Sequence, residues 1–260
     1  MLSIQEIEKY YPEHLHPYKR FLVREYLQHK ILEIVFEGPF ANKLCFLGGT
    51  CLRIVHNQQR FSEDLDFDNF NLLEEEFGVI SNNIDIELGK LGYKVETKNI
   101  TKGAFHCYIR FPGLLYNEGL SGYAEEKILI QLDTEAQHFD FTPDTPIINK
   151  FDVFTQIFST PLDLLLAQKF YAVLNRKRNK GRDFFDIVFL MGKGIQPNMD
   201  YLQFKLKIND YGQLQNLILE KCNHIDMSEM SKDVSPFLFH PKDAKVVKLF
   251  PEFIKNNWYD

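Results

Sequence analysis

Two carboxylates separated by a single residue are the most chemically suggestive feature of this 260-residue sequence. Asp64 and Asp66 lie near the end of the segment FLGGTCLRIVHNQQRFSEDLDF, residues 46–67. On a β-strand, side chains spaced by two point to the same side. Carboxylate oxygens placed together in this way can hold one or two Mg²⁺ ions, which neutralise phosphate charge during an in-line displacement. The spacing therefore predicts metal-assisted chemistry at a phosphate group.

A glycine pair precedes these acids in the same segment. Gly48 and Gly49 stand between a short apolar strand predicted at 44–47 and a helix predicted at 50–57. Glycine lets a polyphosphate approach the backbone, and the N–H groups at a helix start favour anions because of the helix dipole. A glycine pair before a helix is more often a simple turn, and acids spaced by two are more often a solvated strand face. Their combination favours nucleotidyl transfer.

A third carboxylate lies within a later apolar strand. In KILIQLDTE, residues 127–135, apolar side chains share one face of the predicted strand, and Asp133 lies on the other. No local feature accounts for an acid at this position. We therefore predict that Asp133 lies on a strand adjacent to Asp64 and Asp66 and provides a third metal ligand. Asp68, which continues the alternation after Asp66, is interpreted as a surface residue.

Composition and charge restrict the possible classes of protein. Hydrophobic residues make up 45% of the chain and charged residues 25%, as in ordinary globular proteins. No apolar run reaches the roughly 18 residues needed to cross a bilayer, and the N-terminus lacks the apolar core of a signal peptide, so we expect a cytoplasmic protein with no membrane partner. The net charge of −6 argues against a wholly basic nucleic-acid coat but leaves room for a local basic patch.

The periodicity of apolar residues changes along the chain. Helical and strand patterns are interspersed before residue 160, whereas the helical period continues after Pro161. The elements predicted before this boundary are helices within 1–38, 50–57 and 72–91 and strands at 44–47, 64–68, 93–100, 104–111 and 127–135. We therefore predict an α/β domain with a mixed sheet at 1–160 and a helical bundle domain at 161–260.

The motif around the two acids resembles that of the AbiEii/AbiGii toxin family, within the nucleotidyltransferase superfamily. The family pattern consists of Gly-Gly-Thr, a nearby Leu-Arg and an Arg-Phe-Ser-x-Asp-Leu-Asp-Phe block. The matching residues are Gly48, Gly49, Thr50, Leu52, Arg53, Arg60, Phe61, Ser62, Asp64, Leu65, Asp66 and Phe67. A second block, within residues 162–190, contains the family's lysine on one helix and its Arg-Asp-x-x-Asp motif on the next. These positions are filled by Lys169, Arg182, Asp183 and Asp186.

The resemblance implies a nucleotidyltransferase-type α/β fold and transfer of a nucleoside monophosphate from an NTP to an acceptor hydroxyl, with release of pyrophosphate. The expected cofactor is Mg²⁺ or Mn²⁺, held by Asp64, Asp66 and Asp133. The residues expected to hold the triphosphate are Gly48, Gly49, Thr50 and Ser62. The resemblance also implies the toxin of a toxin–antitoxin or phage-defence pair, and hence an antitoxin partner. Because family members that act on RNA modify tRNA acceptor ends, RNA is the expected acceptor.

Lys169 lies on the apolar stripe of its predicted helix, where a lysine either snorkels to water, pairs with a buried acid or faces a ligand. Position alone favours a structural pair with Asp183 or Asp186. A nearby triphosphate site favours contact with nucleotide phosphate, which is the interpretation that we adopt. Asp183 would then orient the lysine or act as an additional acid, and Asp186 could fill the same role. Arg53, expected on the same polar helix face as Thr50, is assigned to bracing the acidic strand.

The run of basic residues RKRNKGR, at 176–182, contains no acid. Such a run is usually a solvated loop, but beside a nucleotidyltransferase site it could hold an RNA backbone. Two other functions are compatible with the sequence. One is transfer to a protein or to a small molecule such as an antibiotic, and the other is a nucleotide- or RNA-binding module without turnover. The complete set of acids argues against the second of these.

Overall fold

The chain folds into two compact units, as described for residues 2–259 by a computed structural model. The first unit consists of the chain up to His56, Phe61–His138 and Pro143–Ser159. The second unit consists of Asn57–Arg60, Phe139–Thr142 and the chain from Thr160 onward. Two short segments that precede residue 160 therefore belong to the same unit as the C-terminal helices. Within residues 2–259, no helix is both long enough and apolar enough to cross a membrane.

The first unit is built on a five-stranded mixed sheet, as the sequence predicts. Its strands are β1 (Leu44–Leu47), β2 (Leu65–Asn69), β3 (Glu96–Ile100), β4 (Phe105–Pro112) and β5 (Lys127–Thr134). Their order is β1-β2-β5-β4-β3; β2 and β5 are parallel, and the other neighbouring pairs are antiparallel. A separate hairpin is formed by β6 (Ile147–Lys150) and β7 (Val153–Gln156). β5 is therefore the central strand of the main sheet.

Alternation along the strands separates an apolar face from a polar face. The helices of this unit are α1 (Ile4–Glu8), α2 (Lys19–Phe36), α3 (Gly48–Ile54), α4 (Glu74–Lys90) and α5 (Leu114–Asn117). Phe77 of α4 packs against Phe105, on the face where Ile109 and Leu132 are fully buried. Each such buried side chain stabilises the fold by roughly 1.5–3 kcal/mol. The intervening residues, including Asp133, lie on the opposite face, which we call the polar face.

The second unit is helical, as predicted for the C-terminal part of the chain. Its helices are α6 (Leu162–Asn175), α7 (Gly181–Gly192), α8 (Met199–Leu206), α9 (Tyr211–Asn223), α10 (Met227–Val234), α11 (Lys245–Lys248) and α12 (Phe250–Asn256). The backbone N–H of Gly181 donates to Asp233 of α10 at 2.8 Å. A Cβ at Gly181 would collide with the backbone carbonyl of Met230, so glycine is needed for this close approach. The contact fixes the start of α7, which carries Asp183 and Asp186.

The polar residues predicted to share one face of α3 are buried. Thr50 is fully buried and Arg53 is nearly so. Both side chains are buried because they find polar partners inside the unit. The Thr50 hydroxyl donates to the backbone carbonyl of Asp64, and Arg53 forms an ion pair with Glu25 of α2. The helix also begins earlier than expected, at Gly48.

Glu25 is the centre of a buried charge cluster in the first unit. Its carboxylate accepts hydrogen bonds from Arg53 Nε at 2.8 Å and from Lys150 Nζ at 2.7 Å. Burial alone would raise the pKa of this carboxyl, but the two cations lower it to about 2. Burial lowers the pKa of His29, whose Nδ1 contacts the carbonyl oxygen of Glu25, to about 4. The folded unit therefore stabilises an ionised Glu25 and a neutral His29.

This cluster predicts a loss of stability in acid. As the pH falls from about 6.5 to about 4, the unfolded chain protonates His29 before the folded unit does. As the pH falls from about 4.5 to about 2, the unfolded chain likewise protonates Glu25 before the folded unit does. We expect the free energy of unfolding, measured with urea at a series of pH values, to fall by roughly 5 kcal/mol between pH 7 and pH 3.

Two variants test the part of this loss that belongs to Glu25. Glu25→Gln should be destabilised at pH 7, because Arg53 and Lys150 lose their carboxylate, and should show a smaller further loss below about pH 4.5. Glu75→Gln, at the exposed start of α4, is the matched control and should keep the wild-type profile. A wild-type stability that does not change between pH 7 and pH 3 would contradict the role of the cluster.

Candidate functional site

The acids predicted from the sequence lie on neighbouring strands of the first unit. Asp66 of β2 and Asp133 of β5 are register partners in the parallel pair, so their side chains share the polar face. Both residues are half-buried. The predicted position of Asp133, on a strand adjacent to the acid pair, is confirmed. Asp64 precedes β2, at the point where the chain enters the strand.

Asp68 is buried, and its interpretation as a surface residue is wrong. It is 2% exposed, and its carboxylate accepts the backbone N–H of Gln137 at 2.9 Å. Because Gln137 follows β5, this hydrogen bond ties the end of β2 to the segment that leaves its parallel neighbour. Asp68 therefore stabilises the arrangement of the acid-bearing strands.

Gly48 lies against the carboxylate of Asp66. Leu47, at the end of β1, is the register partner of Asp66, so the turn into α3 passes beside this acid. Gly48 has a φ of +78°, a left-handed conformation that favours glycine, and a Cβ at this position would clash with Asp66 Oδ2. The first glycine of the pair is thus required by its approach to the acid as well as by the turn itself.

The segment that leads into β2 is held from two sides. The Thr50 hydroxyl donates to the carbonyl of Asp64, and Gln28 Nε2 of α2 donates to the carbonyls of Ser62 and Glu63 at 3.1 and 2.9 Å. Sequence reasoning missed Gln28, because no local pattern links α2 to this segment. Thr50 thereby positions Asp64, and contact of Thr50 or Ser62 with a triphosphate stays a prediction.

Helix α2 also forms ion pairs with two charged residues that precede the acid pair in the sequence, Arg53 and Glu63. Arg53 forms a two-point ion pair with Glu25, at 2.8 and 3.1 Å, and its expected role in bracing the acidic strand stays a prediction. Arg24 Nη1 holds Glu63 Oε1 at 2.8 Å. Glu63 is therefore directed towards α2.

Two residues that sequence reasoning missed hold the Asp133 carboxylate. His106 is the β4 register partner of Asp133, and its Nδ1 lies 2.7 Å from Asp133 Oδ1. Gln131 Nε2 donates to both carboxylate oxygens, at 2.8 and 2.9 Å. The alternation within 104–111 puts His106 on the face opposite Cys107. The register of β4 against β5, which the sequence does not contain, is what places His106 beside Asp133.

The chemistry of the donors suits a hard divalent cation. Asp66 and Asp133 offer carboxylate oxygens from adjacent strands, and Mg²⁺ and Mn²⁺ prefer such ligands. Among residues 2–259, no three His, Cys, Asp or Glu side chains are gathered into a group that could hold a metal ion. Neighbouring carboxylates repel each other, so a cation would have to draw these side chains together. The metal-binding roles of Asp64, Asp66 and Asp133 stay predictions.

Lys169 is held between two acids in the second unit, at the centre of what we call the Lys169 cluster. Its Nζ lies 2.9 Å from Asp183 Oδ1 and 2.8 Å from Asp186 Oδ2. Asp186 is completely buried and forms a two-point ion pair with Arg60, with both N–O distances at 2.7 Å. Asp183 also binds Arg176 at 2.9 Å. Lys169 thus forms ion pairs with both Asp183 and Asp186, which is the structural pairing that its position in the sequence favours.

The attraction between opposite charges determines the protonation states of Lys169 and Asp186 in this cluster. Burial alone would raise the pKa of Asp186, but Arg60 and Lys169 hold it well below its usual range. Burial alone would lower the pKa of Lys169, but Asp183 and Asp186 raise it. Lys169 and Asp186 are therefore both ionised at neutral pH. Contact of Lys169 with nucleotide phosphate and a catalytic role for Asp183 stay predictions.

The basic run at 176–182 contains both bound and exposed cations. Arg176 belongs to the Lys169 cluster, and the guanidinium of Arg182 lies 4.9 Å from the centre of an aromatic ring. Lys177 and Arg178 are exposed. These two side chains are the members of the run best placed to meet a ligand.

A family model described as nucleotidyl transferase AbiEii toxin, of type IV toxin–antitoxin systems, matches residues 30–246. The chain belongs to the AbiEii family. The resemblance inferred from the motif is confirmed, and the match includes the acid-bearing strands and the Lys169 cluster. The AbiEii-family chain is accordingly a nucleotidyltransferase toxin, and hence an enzyme.

Two crystal structures of Helicobacter pylori proteins resemble this AbiEii-family protein in fold. One is JHP933, with a TM-score of 0.53 and 16% sequence identity, over 90% of this chain and 91% of that chain. The other is a candidate nucleotidyltransferase, with a TM-score of 0.53 and 16% identity, over 90% of this chain and 94% of that chain. At this identity the likeness concerns the fold alone. A comparison with curated proteins found no match.

Arg60 should be essential for the stability of the second unit of this AbiEii-family protein. Arg60→Met keeps the apolar stem but removes the two-point partner of the buried Asp186. Removing one partner of a buried ion pair costs about 3–5 kcal/mol, so the free energy of unfolding in urea should fall by about that amount. Arg178→Met, in the exposed loop of the same unit, is the matched control and should change it by less than about 0.5 kcal/mol. Similar unfolding midpoints for the two variants would contradict an anchoring role for Arg60.

Proposed function

We propose that this AbiEii-family toxin transfers a nucleoside monophosphate from an NTP to a hydroxyl group of RNA, at the acceptor end of a tRNA, and uses Mg²⁺ or Mn²⁺. Family membership gives the reaction class, and the acceptor and the metal are the proposal. The observation that carries it is the alignment of Asp66 with Asp133 on one face of the sheet, with the backbone of Gly48 against the first acid. Adjacent carboxylates repel each other and anionic phosphate, so a module that merely bound a nucleotide would gain nothing from them.

The proposed reaction is a displacement at the α-phosphorus. A bond forms from the acceptor hydroxyl oxygen to this phosphorus, while the bond from the phosphorus to the oxygen that bridges to the β-phosphate breaks. The hydroxyl proton passes to water, and pyrophosphate leaves with the electron pair of the broken bond. Asp64, Asp66 and Asp133 would hold the metal, which neutralises phosphate charge when bound. Asp133 is assigned to the side of the acceptor oxygen, and the backbone of Gly48 and Gly49 to the triphosphate.

The remaining site residues have supporting roles in this proposal. Two N–H groups of the Lys169 ammonium are directed to Asp183 and Asp186, which leaves one for a phosphate oxygen on a side chain that is 12% exposed. Asp183 orients this lysine. Thr50 acts by fixing the entry to β2, and the half-buried Ser62 is assigned to the triphosphate.

Asp66→Asn should abolish transfer and leave the fold intact. The substitution keeps the side-chain volume but removes a charge that repels Asp133, so the melting temperature should stay the same or rise. Asp133→Asn should behave in the same way, and a chelator should inhibit the wild-type protein. The measurements are pyrophosphate release with each of the four NTPs and a thermal melt of each variant.

The matched control for these variants is Asp85→Asn on α4, a helix that packs on the apolar face of the sheet. It should retain full transfer. Full activity of Asp66→Asn, or of the wild-type protein in chelator, would overturn the metal-dependent proposal. Incubation of labelled NTPs with total RNA and total protein identifies the acceptor, and label found in protein alone would replace RNA in the proposal.

The exposed part of the basic run supplies a test of RNA binding. The double variant Lys177→Glu, Arg178→Glu should weaken RNA binding regardless of sequence, because such contacts are electrostatic. The log–log salt dependence should flatten by about 0.7 for each single-strand phosphate that the variant no longer neutralises. NTP binding should persist, since Gly48, Gly49 and the acids are unchanged. The measurement is RNA affinity at several salt concentrations, with NTP affinity alongside.

A double variant with the same change of charge, Lys245→Glu, Lys248→Glu, is the matched control. Both lysines are exposed on α11 of the same unit. This control should keep the wild-type RNA affinity and salt slope. Equal losses in the two double variants would indicate an effect of net charge and would remove the basic run from the acceptor site.

A further inference from the structure

The Asp133 carboxylate is held from two directions on the polar face of the sheet. His106 Nδ1 lies 2.7 Å from Oδ1, and Gln131 Nε2 lies 2.8 and 2.9 Å from the two oxygens. Both contacts follow from strand geometry, because His106 is directly opposite Asp133 and Gln131 precedes it on the same side of β5. A carboxylate that accepts hydrogen bonds from two side chains has a restricted rotation about its terminal bond.

These contacts leave capacity for a cation. An ionised carboxylate has roughly four lone-pair sites, more than His106 and Gln131 occupy. Because an ionised Asp133 can accept hydrogen bonds but cannot donate them, Nδ1 of His106 carries the proton in this contact. The imidazole therefore donates to Oδ1 and leaves acceptor capacity on the carboxylate for a metal ion.

The burial of its neighbours on β4 determines on which face of the sheet the His106 ring lies. Cys107 and Ile109 are fully buried, so a slip of β4 by one residue would carry His106 to the apolar face and these side chains to the polar face. The side chains of His106 and Asp133 are 31% and 28% exposed. A pair with this exposure contributes at most about 1 kcal/mol to stability. The contact is therefore well fixed in geometry, although the fold does not depend on it.

We propose that His106 is a positioning residue of the transfer reaction and that, together with Gln131, it fixes the Asp133 carboxylate in the orientation that binds the divalent cation. The inference rests on the proposed function and adds to it a residue that acts through Asp133. Side chains that hold a metal ligand by hydrogen bonds typically contribute 10- to 100-fold to metal affinity. An effect of this size is measurable without any turnover.

The test is Mn²⁺ affinity, measured by electron paramagnetic resonance on the purified full chain without nucleotide. His106→Leu removes the donor and should weaken Mn²⁺ binding by about 10-fold or more. His106→Asn keeps an amide N–H near the position of Nδ1 and should bind Mn²⁺ nearly as well as the wild type. His224→Leu, at the exposed end of α9 in the second unit, is the matched control, because it removes an imidazole that lies outside the acid-bearing strands. It should leave the affinity unchanged.

Steady-state kinetics provide a second readout. At saturating Mn²⁺, His106→Leu should lower kcat while the KM for NTP stays near the wild-type value, because the triphosphate is assigned to the turn at Gly48 and Gly49. A thermal melt checks that the variant is folded. If His106→Leu does not fold, His106→Asn is compared with His106→Gln, whose amide lies one bond further out and should bind Mn²⁺ more weakly than the Asn variant.

Two outcomes separate this inference from the function on which it rests. If Asp133→Asn weakens Mn²⁺ binding but His106→Leu binds it like the wild type, the positioning role is overturned and the metal site stands. If Asp133→Asn and Asp66→Asn both bind Mn²⁺ like the wild type, the proposed metal site is overturned, and the role of His106 with it.

Discussion

Asp66 and Asp133 are neighbours because two strands that are far apart in the sequence pair in parallel. The connection between parallel strands has to cross over, and here it contains α4 and the β3–β4 pair. The register is fixed by burial: Leu65 and Leu132, the partners that precede the two acids, are both fully buried. A slip by one residue would move Asp133 into the core and an apolar side chain out of it. Every role proposed for the acids depends on this pairing of apolar residues.

The carboxylates of this protein occupy two physically different environments. Glu25 and Asp186 are buried, and each has two cations at hydrogen-bonding distance, because an unpaired charge in the interior would be very costly. Such clusters are complete in themselves and serve to hold elements together. Asp66 and Asp133 lie half-buried on adjacent strands, and their side chains share the polar face of the sheet. In the proposed function, a divalent cation would neutralise the charge of these two carboxylates.

Features that depend on local periodicity could be predicted from the sequence. The strands of the mixed sheet and the helical C-terminal part follow from the spacing of apolar residues, and the place of Asp133 beside the acid pair is predicted from the chemistry that a metal site requires. Features that depend on long-range pairing could not. Arg60 and Asp186, His106 and Asp133 meet through tertiary packing or strand register, which no window of sequence contains. The burial of Asp68 escapes sequence reasoning for the same reason, since the partner that holds it follows a different strand.

The buried side chains of Thr50 and Arg53, within the motif, show the same limit of prediction from sequence. A helical wheel gives Thr50 and Arg53 a common polar face, but it does not show which groups this face contacts. In the structure the face meets the interior, because the Asp64 carbonyl and the Glu25 carboxylate supply the partners that water would otherwise provide. The consequence reaches the site itself. The hydroxyl of Thr50 is directed at the backbone of an acid, so a residue that polarity alone would assign to the nucleotide also sets the position of Asp64, from which one of the proposed metal ligands projects.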